Sequence, residues 1–368
     1  MIPMADWATQ TGGEPTFISV RPGNLDRIGV LLKESGIRDP CSQAILVTDE
    51  TVARVHAPRV EGSIAADGIS TCTVAVPPGE ASKSLSTATE VYRFLAERRF
   101  GRDGVIVAVG GGVVSDLTGF VAATWMRGVR WIVCPTTVEG CVDAAIGGKT
   151  AVNVPGAKNL VGAFHWPAAV CIDPTCLLSL PKRDVSAGLA ESIKHALVLD
   201  PGFVSWHERN VAAILRLEDS IAVELIERNV RLKLLVVERD PRETTGERMV
   251  LNFGHTIGHA IEEASRHELR HGECVALGML AAGRLSQSMG ILRGEVVDRL
   301  TTLLGRMNLP TRLPRTIDSE QVLAAIRLDK KNRGGGIRMV LLEDVGKPVV
   351  RDEVPEDSVR EAYETLCR

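Results

Sequence analysis

The sequence is poor in aromatic residues, has no marked excess of either charge, and contains no closely spaced cysteine pair. Aromatic residues make up only 4% of its 368 residues. Lysine and arginine total 43 against 46 aspartates and glutamates, so the chain lacks the basic surplus typical of nucleic-acid-binding proteins. The eight cysteines include no CxxC motif and form no dense framework, which indicates reduced thiols in a reducing compartment.

Long apolar runs are also lacking. The longest apolar stretches have the length of a strand or a short helix, well below the roughly 20 residues that cross a bilayer. Residues 1–15 are polar and contain no apolar segment of signal-peptide length. These features predict a cytoplasmic protein with neither a nucleic-acid nor a membrane partner. Hydrophobic residues nevertheless make up 45% of the chain, enough for a sizeable core.

The first half of the sequence alternates short apolar runs with helical patterns. The apolar runs are rich in β-branched residues, as expected for strands that are buried on both faces. We predict strands at 44–48, 70–76, 104–109 and 130–134, and helices at 86–98 and 114–126. Strands that alternate with helices predict a mainly parallel sheet, so the first half is expected to be an α/β dinucleotide-binding domain.

After residue 180 the pattern becomes helical. Helical periodicity extends over 184–199, 203–215, 218–238, 248–265, 273–289, 294–306 and 319–328. A late apolar run at 336–342 has the pattern of a strand or hairpin. We therefore predict two domains, an α/β domain over 1–180 and an all-α domain over 181–368.

Three consecutive glycines, Gly110–Gly112, lie between a predicted strand and a predicted helix, and Asp116 follows them. Glycines at such a junction let the backbone approach a phosphate, and the new helix offers free N–H groups. The GxGxxG fingerprint is absent, and a tight turn is the alternative interpretation. Asp49 at a strand end, and Glu80 with Lys83 before a helix, are further candidate contacts with the same ligand, although each alone is typical of an ordinary solvated turn.

A second glycine-rich segment contains Asp143, Lys149, Lys158 and Asn159. The two lysines lie in Gly-Gly-Lys and Ala-Lys-Asn contexts, where an ammonium group and nearby backbone N–H groups can meet an anionic ligand together. The segment lacks the spacing of a phosphate-binding P-loop. A solvated loop would explain one lysine more easily than the whole cluster.

The helical half contains a possible metal site. His255 and His259 are four residues apart on one predicted helical face, and His271 follows. Glu191 lies in the middle of a helix among small and apolar residues, where an unpaired charge is costly, with Lys194 on the same face. Two histidines, one carboxylate and an open position form a catalytic zinc site. For the histidine pair alone, core or capped histidines are an equal alternative.

Taken together, these segments resemble the dehydroquinate synthase family of sugar-phosphate cyclases. Their order and spacing, more than any one of them, carry the resemblance. The most specific stretches are 110–116, 135–137, 143–159, 158–164, 188–194 and 252–259 with His271. The resemblance implies an NAD- and metal-dependent lyase of the shikimate pathway. It would convert 3-deoxy-D-arabino-heptulosonate 7-phosphate to 3-dehydroquinate and phosphate, with transient oxidation of the substrate by NAD.

The resemblance also implies roles for individual residues. Glu191, His255 and His271 match the ligands of a divalent ion, zinc or cobalt, and His259 matches a contact with the substrate phosphate. The residues that match NAD contacts are Asp49, Glu80, Lys83, Gly110, Gly111, Gly112, Asp116, Thr136, Thr137, Lys149 and Lys158. The residues that match substrate contacts are Arg127, Asp143, Lys149, Asn159, Lys194, Lys233, Glu243, Arg248, Asn252, His259 and one of Lys330 and Lys331.

Within that set, Lys233 and Arg248 match the pair that holds the substrate carboxylate. Arg127 matches a residue that reaches the phosphate across the interface of a homodimer. Three positions depart from the family pattern: Cys141 and Trp166 stand where glutamine is usual, and Ala151 stands where glycine is usual. These departures favour a paralogue with an altered substrate, whereas the retained substrate contacts favour the usual one.

The alternatives belong to three classes. A related cyclase would make an aminodehydroquinate or a 2-deoxy-scyllo-inosose from another sugar phosphate. A metal-dependent polyol or alcohol dehydrogenase would share an α/β-plus-helical architecture. A non-catalytic NAD-binding regulatory protein would need no intact set of metal ligands.

Overall fold

The computed structural model describes residues 5–11, 14–37, 41–155, 157–266, 268–314, 317–330 and 336–367. It divides into two compact units. The first unit comprises Met1–Leu180 and Leu217–Arg242, and the second comprises Pro181–Arg216 and Glu243–Arg368. The strands are β1 (Ala5–Thr11), β2 (Glu14–Val20), β3 (Gln43–Asp49), β4 (Ser70–Val76), β5 (Val105–Gly110), β6 (Trp131–Pro135), β7 (Lys149–Val154), β8 (Ala157–Phe164), β9 (Ala169–Ile172), β10 (Ile337–Asp344) and β11 (Lys347–Val354).

The α-helices follow the predicted periodicity over most of the chain. They are α1 (Ile28–Glu34), α2 (Glu50–Val55), α3 (Ala57–Ala66), α4 (Leu85–Glu97), α5 (Gly112–Thr124), α6 (Lys182–Leu199), α7 (Pro201–Leu215), α8 (Asp219–Arg239), α9 (His255–Ala264), α10 (His271–Ser288), α11 (Gly294–Arg306), α12 (Ser319–Lys330) and α13 (Glu356–Glu364). In the described part of the chain, no helix combines the length and the apolar character that crossing a membrane requires.

The first unit contains a seven-stranded sheet of order β1-β2-β9-β6-β5-β3-β4. Strands β1 and β2 pair antiparallel, and every other neighbouring pair is parallel. Every residue of β5 and β6 is buried, which explains why their sequences are continuous apolar runs and do not alternate with polar residues. The predicted α/β class with a mainly parallel sheet is therefore confirmed.

The strand order of this sheet indicates where a ligand should bind. Strand β4 pairs with one side of β3, and β5 pairs with the other side, so the direction of chain progression reverses at β3. Open α/β sheets bind ligands beyond the carboxyl ends of their strands at such a reversal. The residues at those ends are Asp49 of β3 and Gly110 of β5, both of which the sequence assigns to cofactor binding.

In its described residues, the second unit is helical except for one hairpin, which β10 and β11 form by antiparallel pairing. The predicted helical character of the second domain is confirmed, and the hairpin lies where the pattern of residues 336–342 had indicated a strand or hairpin within it. The hairpin forms because β10 presents buried apolar side chains, including Met339 and Leu341, and packs against α10.

Helix α8 belongs to the first unit, whereas the sequence placed it in the second domain. It packs against β1, β2 and the π-helical turn Gly140–Ala144. The buried side chains of α8 thus complete the core of the α/β unit, although the chain on both sides of it belongs to the helical unit. Hydrophobic periodicity shows that a helix has an apolar face, but it does not show which core buries that face.

Candidate active site

In the second unit, three side chains from three helices converge. Glu191 lies in the middle of α6, and His255 and His271 are the first residues of α9 and α10. The Glu191 Oε1 atom is 3.4 Å from His255 Nε2 and 3.3 Å from His271 Nε2. Two ligand atoms that each lie about 2.1 Å from a tetrahedral zinc ion are about 3.4 Å apart. The spacing therefore matches two ligands of one ion.

The Glu191 carboxylate supports the same interpretation. Glu191 is 1% exposed, and its Oε1 atom has no hydrogen-bond partner among the described residues. A buried carboxylate oxygen without a partner costs free energy, and the penalty disappears if the atom binds a cation. The residues present thus fit a divalent ion.

The charge states around Glu191 also suit a metal. Its Oε2 atom accepts a hydrogen bond from the buried ammonium group of Lys194. Burial alone would raise the pKa of Glu191, but Lys194 and His255 hold that pKa well below its usual range. Burial and then Lys194 lower the pKa of His255. At neutral pH the carboxylate is therefore anionic and the imidazole is neutral, the forms that bind metal ions.

Both histidines are oriented through their second ring nitrogen. His271 Nδ1 is 3.1 Å from Glu262 Oε2 on α9, and His255 Nδ1 is 3.3 Å from the carbonyl oxygen of Phe253. A proton on each Nδ1 leaves each Nε2 free to bind a metal. The sequence analysis missed Glu262. Its signal would have been a carboxylate three residues after His259 on the same helix.

His259 lies beside this group but is exposed. Its ring centroid is 5.1 Å from that of His255 and 5.6 Å from that of His271, and the three histidines are close enough together to hold an ion by themselves. Glu191 Oε1, however, faces the Nε2 atoms of His255 and His271. His259 therefore stays our predicted phosphate contact.

In the first unit, the three consecutive glycines that begin with the last residue of β5 are glycine for different reasons. A Cβ on Gly110 would lie 2.7 Å from the Val114 side chain, and one on Gly111 would lie 2.9 Å from Thr137. A Cβ on Gly112 would meet nothing closer than 3.7 Å. Packing inside the protein thus explains the first two glycines but not the third. The backbone of Gly112 begins α5, so its free surface fits the close approach of a pyrophosphate.

Several other predicted cofactor contacts lie at the carboxyl ends of β3 and β6, which belong to the same sheet as β5. Asp49 caps α2 by accepting hydrogen bonds from the backbone N–H groups of Thr51 and Val52. Thr136 follows β6, and its backbone N–H donates to the Gly110 carbonyl at 2.9 Å. Thr137 Oγ1 accepts from the Gly140 N–H at 3.0 Å. Asp49 thus caps helix α2, and its contact with the ribose stays a prediction.

Two pairs of predicted site residues bind each other. Lys83, which is 5% exposed, forms an ion pair with Asp116, and burial raises the pKa of Asp116 above its usual value despite that partner. Lys233 forms an ion pair with Asp143 and also donates to the Asp143 backbone carbonyl at 2.5 Å. The sequence analysis treated these four side chains as separate ligand contacts and did not foresee their pairing.

Comparison with known proteins identifies the family. Residues 73–187 match the family described as 3-dehydroquinate synthase N-terminal, and residues 188–332 match the one described as 3-dehydroquinate synthase C-terminal. A 3-dehydroquinate synthase of Symbiobacterium thermophilum is 42% identical over 98% of this chain and 100% of its own length. The chain belongs to the 3-dehydroquinate synthase family.

Two solved structures show what similar proteins bind. A 2-epi-5-epi-valiolone synthase from Streptomyces hygroscopicus subsp. jinggangensis 5008, solved with NAD+ and Zn2+, is 28% identical with a TM-score of 0.85, over 95% of this chain and 96% of that one. A 2-deoxy-scyllo-inosose synthase complexed with carbaglucose-6-phosphate, NAD+ and Co2+ is 26% identical with a TM-score of 0.89, over 98% and 100% of the two chains.

The structure also describes other residues to which the family resemblance assigns a role. In the second unit, Arg248 is 3% exposed in the 3-10 helix Glu247–Asn252, and Glu243 adopts a positive φ of 55°. The continuous helix predicted over 248–265 is interrupted by Gly254, whose φ of 79° separates that 3-10 helix from α9. In the first unit, Arg127 is exposed. The Lys330 side chain and all of Lys331 lie outside the described residues.

Glycines allow the helices that carry the proposed metal ligands to pack closely. A Cβ on Gly278 of α10 would lie 2.0 Å from the Gly254 carbonyl oxygen, next to His255. A Cβ on Gly272 would lie 1.8 Å from the Ala187 carbonyl oxygen of α6. Backbone atoms cannot move away individually, so these glycines set the distances between α6, α9 and α10.

Replacing Gly272 with alanine should therefore weaken metal binding. The added methyl group must push the start of α10, with His271, away from α6, and overpacking of this kind costs about 1–3 kcal/mol. We expect a lower melting temperature and a zinc affinity reduced about tenfold, measured by calorimetry on the metal-free protein. Gly283→Ala on the same helix is the matched control, because its Cβ would lie 3.6 Å from its nearest neighbour. Equal zinc affinities for the two variants would contradict this account.

Gly112→Ala should separate ligand binding from folding. The first unit has room for the new methyl group, so we expect an unchanged or slightly higher melting temperature, since alanine is favoured over glycine in a helix by about 1 kcal/mol. The affinity for NAD should fall about tenfold or more because the methyl group occupies the surface offered to the pyrophosphate. Gly62→Ala in α3 is the control, since its Cβ would have no neighbour within 4 Å. Unchanged NAD affinity in Gly112→Ala would place the cofactor elsewhere.

Proposed function

We propose that this member of the family is a 3-dehydroquinate synthase that uses NAD and a divalent ion, zinc or cobalt. It releases phosphate from 3-deoxy-D-arabino-heptulosonate 7-phosphate and is therefore a carbon–oxygen lyase. The observation that carries the proposal is the buried Glu191 Oε1 atom, which lies at ligand spacing from His255 Nε2 and His271 Nε2 and has no hydrogen bond within the described part of the chain. A relative of that name that is 42% identical over 98% of the chain supports the choice of substrate.

When bound, NAD supplies reversible hydride transfer and the ion polarises oxygen atoms of the substrate. The protein's own task is to hold charges in place. Lys194 keeps Glu191 anionic, and Glu262 and the Phe253 carbonyl fix the tautomers of the two histidines. These contacts pre-organise the three ligands, so little reorganisation is needed when the substrate binds.

The anionic ends of the substrate require cations. Arg248 is a buried guanidinium in the second unit, suited to bidentate binding of the substrate carboxylate. Lys233 shares that proposed role, and its ion pair with Asp143 keeps its ammonium group in place. Lys149, Asn159, His259 and one of Lys330 and Lys331 are proposed to bind the phosphate. A phosphate held in this way can itself accept the proton from C6 as it leaves, so no separate general base is required.

The decisive experiment incubates the protein with NAD, a divalent ion and the heptulosonate phosphate. We expect stoichiometric phosphate release, a product with the mass of 3-dehydroquinate, no net accumulation of NADH, and loss of activity on chelation. Accumulating NADH with a polyol would indicate a dehydrogenase instead. Phosphate release only from another sugar phosphate would indicate a related cyclase, and purified protein that binds NAD but no divalent ion would indicate a regulatory protein.

The predicted homodimer and cytoplasmic location belong to this proposal. Arg127 is exposed in the first unit at a positive φ of 67°, which is consistent with a role outside its own subunit. Sedimentation measures the oligomeric state directly. If the protein is a dimer, mixing an Arg127→Ala subunit with a subunit inactivated at His271 should restore part of the activity, because one hybrid site then contains both residues.

A further inference from the structure

The hairpin formed by β7 and β8 contains an irregularity where two predicted ligand contacts lie. Val152 pairs with Val161 and Val154 pairs with Ala157. Asn153 alone on β7 thus faces three residues of β8, namely Lys158, Asn159 and Leu160. Asn159 adopts a left-handed conformation with a φ of 58°. Irregularities of this kind recur beside functional sites, and here the irregular segment contains Lys158 and Asn159.

The side-chain amide of Asn153 forms hydrogen bonds through both its oxygen and its nitrogen. Its Oδ1 atom accepts a hydrogen bond from the backbone N–H of Asn159 at 3.1 Å, a group that faces the irregular part of the ladder. Its Nδ2 atom donates to Glu80 Oε1 at 2.8 Å. A carboxylate accepts and an N–H donates, so these two partners fix which way the amide points.

The backbone of Asn153 connects to the same loop as its side chain. Its N–H donates to the Lys83 carbonyl at 2.7 Å, and it forms an isolated parallel bridge with Ser84. Glu80 and Lys83 are predicted cofactor contacts, whereas Asn159 is a predicted substrate contact. Asn153 lies within the stretch 143–159 that carries the family resemblance, but the sequence gave it no role of its own. In the structure it connects both groups within the first unit.

We propose that Asn153 is a positioning residue that fixes Glu80 for the dinucleotide and Asn159 for the substrate through the two ends of one amide. The inference rests on the proposed function for the identity of the ligands. Asparagine suits this position because the position needs one acceptor and one donor. Aspartate supplies only acceptors at neutral pH, and alanine supplies neither.

Two variants test the bond to Glu80 and the bond to Asn159 separately. Asn153→Asp keeps an acceptor for Asn159 but places a carboxylate against Glu80, so we expect the dissociation constant for NAD to rise about tenfold with little change in the substrate KM. Asn153→Ala loses both bonds, so both constants should rise about tenfold while kcat falls less than kcat/KM. NAD binding is measured by calorimetry without substrate, and KM by phosphate release from the heptulosonate phosphate.

Asn308→Asp is the matched control, because Asn308 is an exposed residue of the second unit that also has a φ of 58°. If Asn153→Ala lowers only the melting temperature and leaves both constants within twofold of the unaltered protein, the proposal is wrong. An unchanged dissociation constant for NAD in Asn153→Asp would contradict the claim that Asn153 positions Glu80 for the dinucleotide. If the unaltered protein releases no phosphate, the proposed function fails, but the NAD measurements still decide whether Asn153 positions Glu80.

Discussion

His271→Ala should abolish turnover while leaving the fold largely intact. The imidazole is one of the three proposed metal ligands, and its Nε2 lies 3.3 Å from Glu191 Oε1. Loss of a ligand removes several kcal/mol of transition-state stabilisation, so we expect kcat to fall at least about a thousandfold. His271 is partly exposed at the start of α10, so truncation leaves no large buried cavity. Phosphate release, bound zinc and the melting temperature are measured together.

The comparison that tests this prediction uses Glu263→Ala, which removes an exposed side chain of α9. That control should retain its zinc and its activity. A His271→Ala protein that still binds one equivalent of zinc and turns over at the normal rate would remove His271 from the metal site. An unfolded His271→Ala protein would point instead to a structural role for the pair that His271 forms with Glu262.

Lys194→Met should show the second large effect, and zinc should partly reverse it. Lys194 is 1% exposed and pairs with Glu191, so the methionine leaves a buried carboxylate without its ammonium partner. Breaking a buried pair from one side costs about 3–5 kcal/mol. We expect the metal-free variant to lose that much of its free energy of unfolding in urea, with added zinc restoring part of it by neutralising Glu191.

The dependence of stability on pH should also change. In the unaltered protein Glu191 has a folded-state pKa well below its usual value, so it contributes stability above its unfolded pKa that is lost as pH falls through the folded pKa. In Lys194→Met burial should dominate and raise that pKa, so the metal-free variant should lose less stability, or gain some, on acidification from pH 7 to pH 5. Lys182→Met, exposed on the same helix, is the control. Equal pH profiles for the two variants would contradict the pairing.

Local patterns predicted most of the secondary structure because the relevant interactions are local. The run at 70–76 is exactly strand β4, and the helix predicted at 294–306 has the bounds of α11. Strands β1, β2, β7, β8 and β9 were not predicted. For β1 the reason is its place at the sheet edge, where one neighbour suffices and no continuous apolar run is needed. The break at Gly254 was not predicted, because the α10 backbone that leaves no room for a side chain there is distant in sequence.

The same distinction between local patterns and long-range contacts applies to the candidate site. Sequence order and spacing led to the family, to the metal ligands and to the glycines after β5, because each is a pattern of residue types along the chain. Spacing alone could not choose two of His255, His259 and His271, since that choice depends on which nitrogens meet Glu191 Oε1. The roles of Glu262 and Asn153 were also hidden, because both depend on hydrogen bonds between separate segments.

By itself, the sequence determined the α/β class of the first unit, the helical character of the second and the kinds of side chain available for chemistry, because propensity and periodicity depend on near neighbours. Only the tertiary structure decided that α8 completes the first unit and that α6, α9 and α10 bring the three proposed ligand atoms together. It also decided that packing does not require glycine at one of the three consecutive glycines. Each of these depends on distances between segments, which the close packing of backbones sets and no local pattern records.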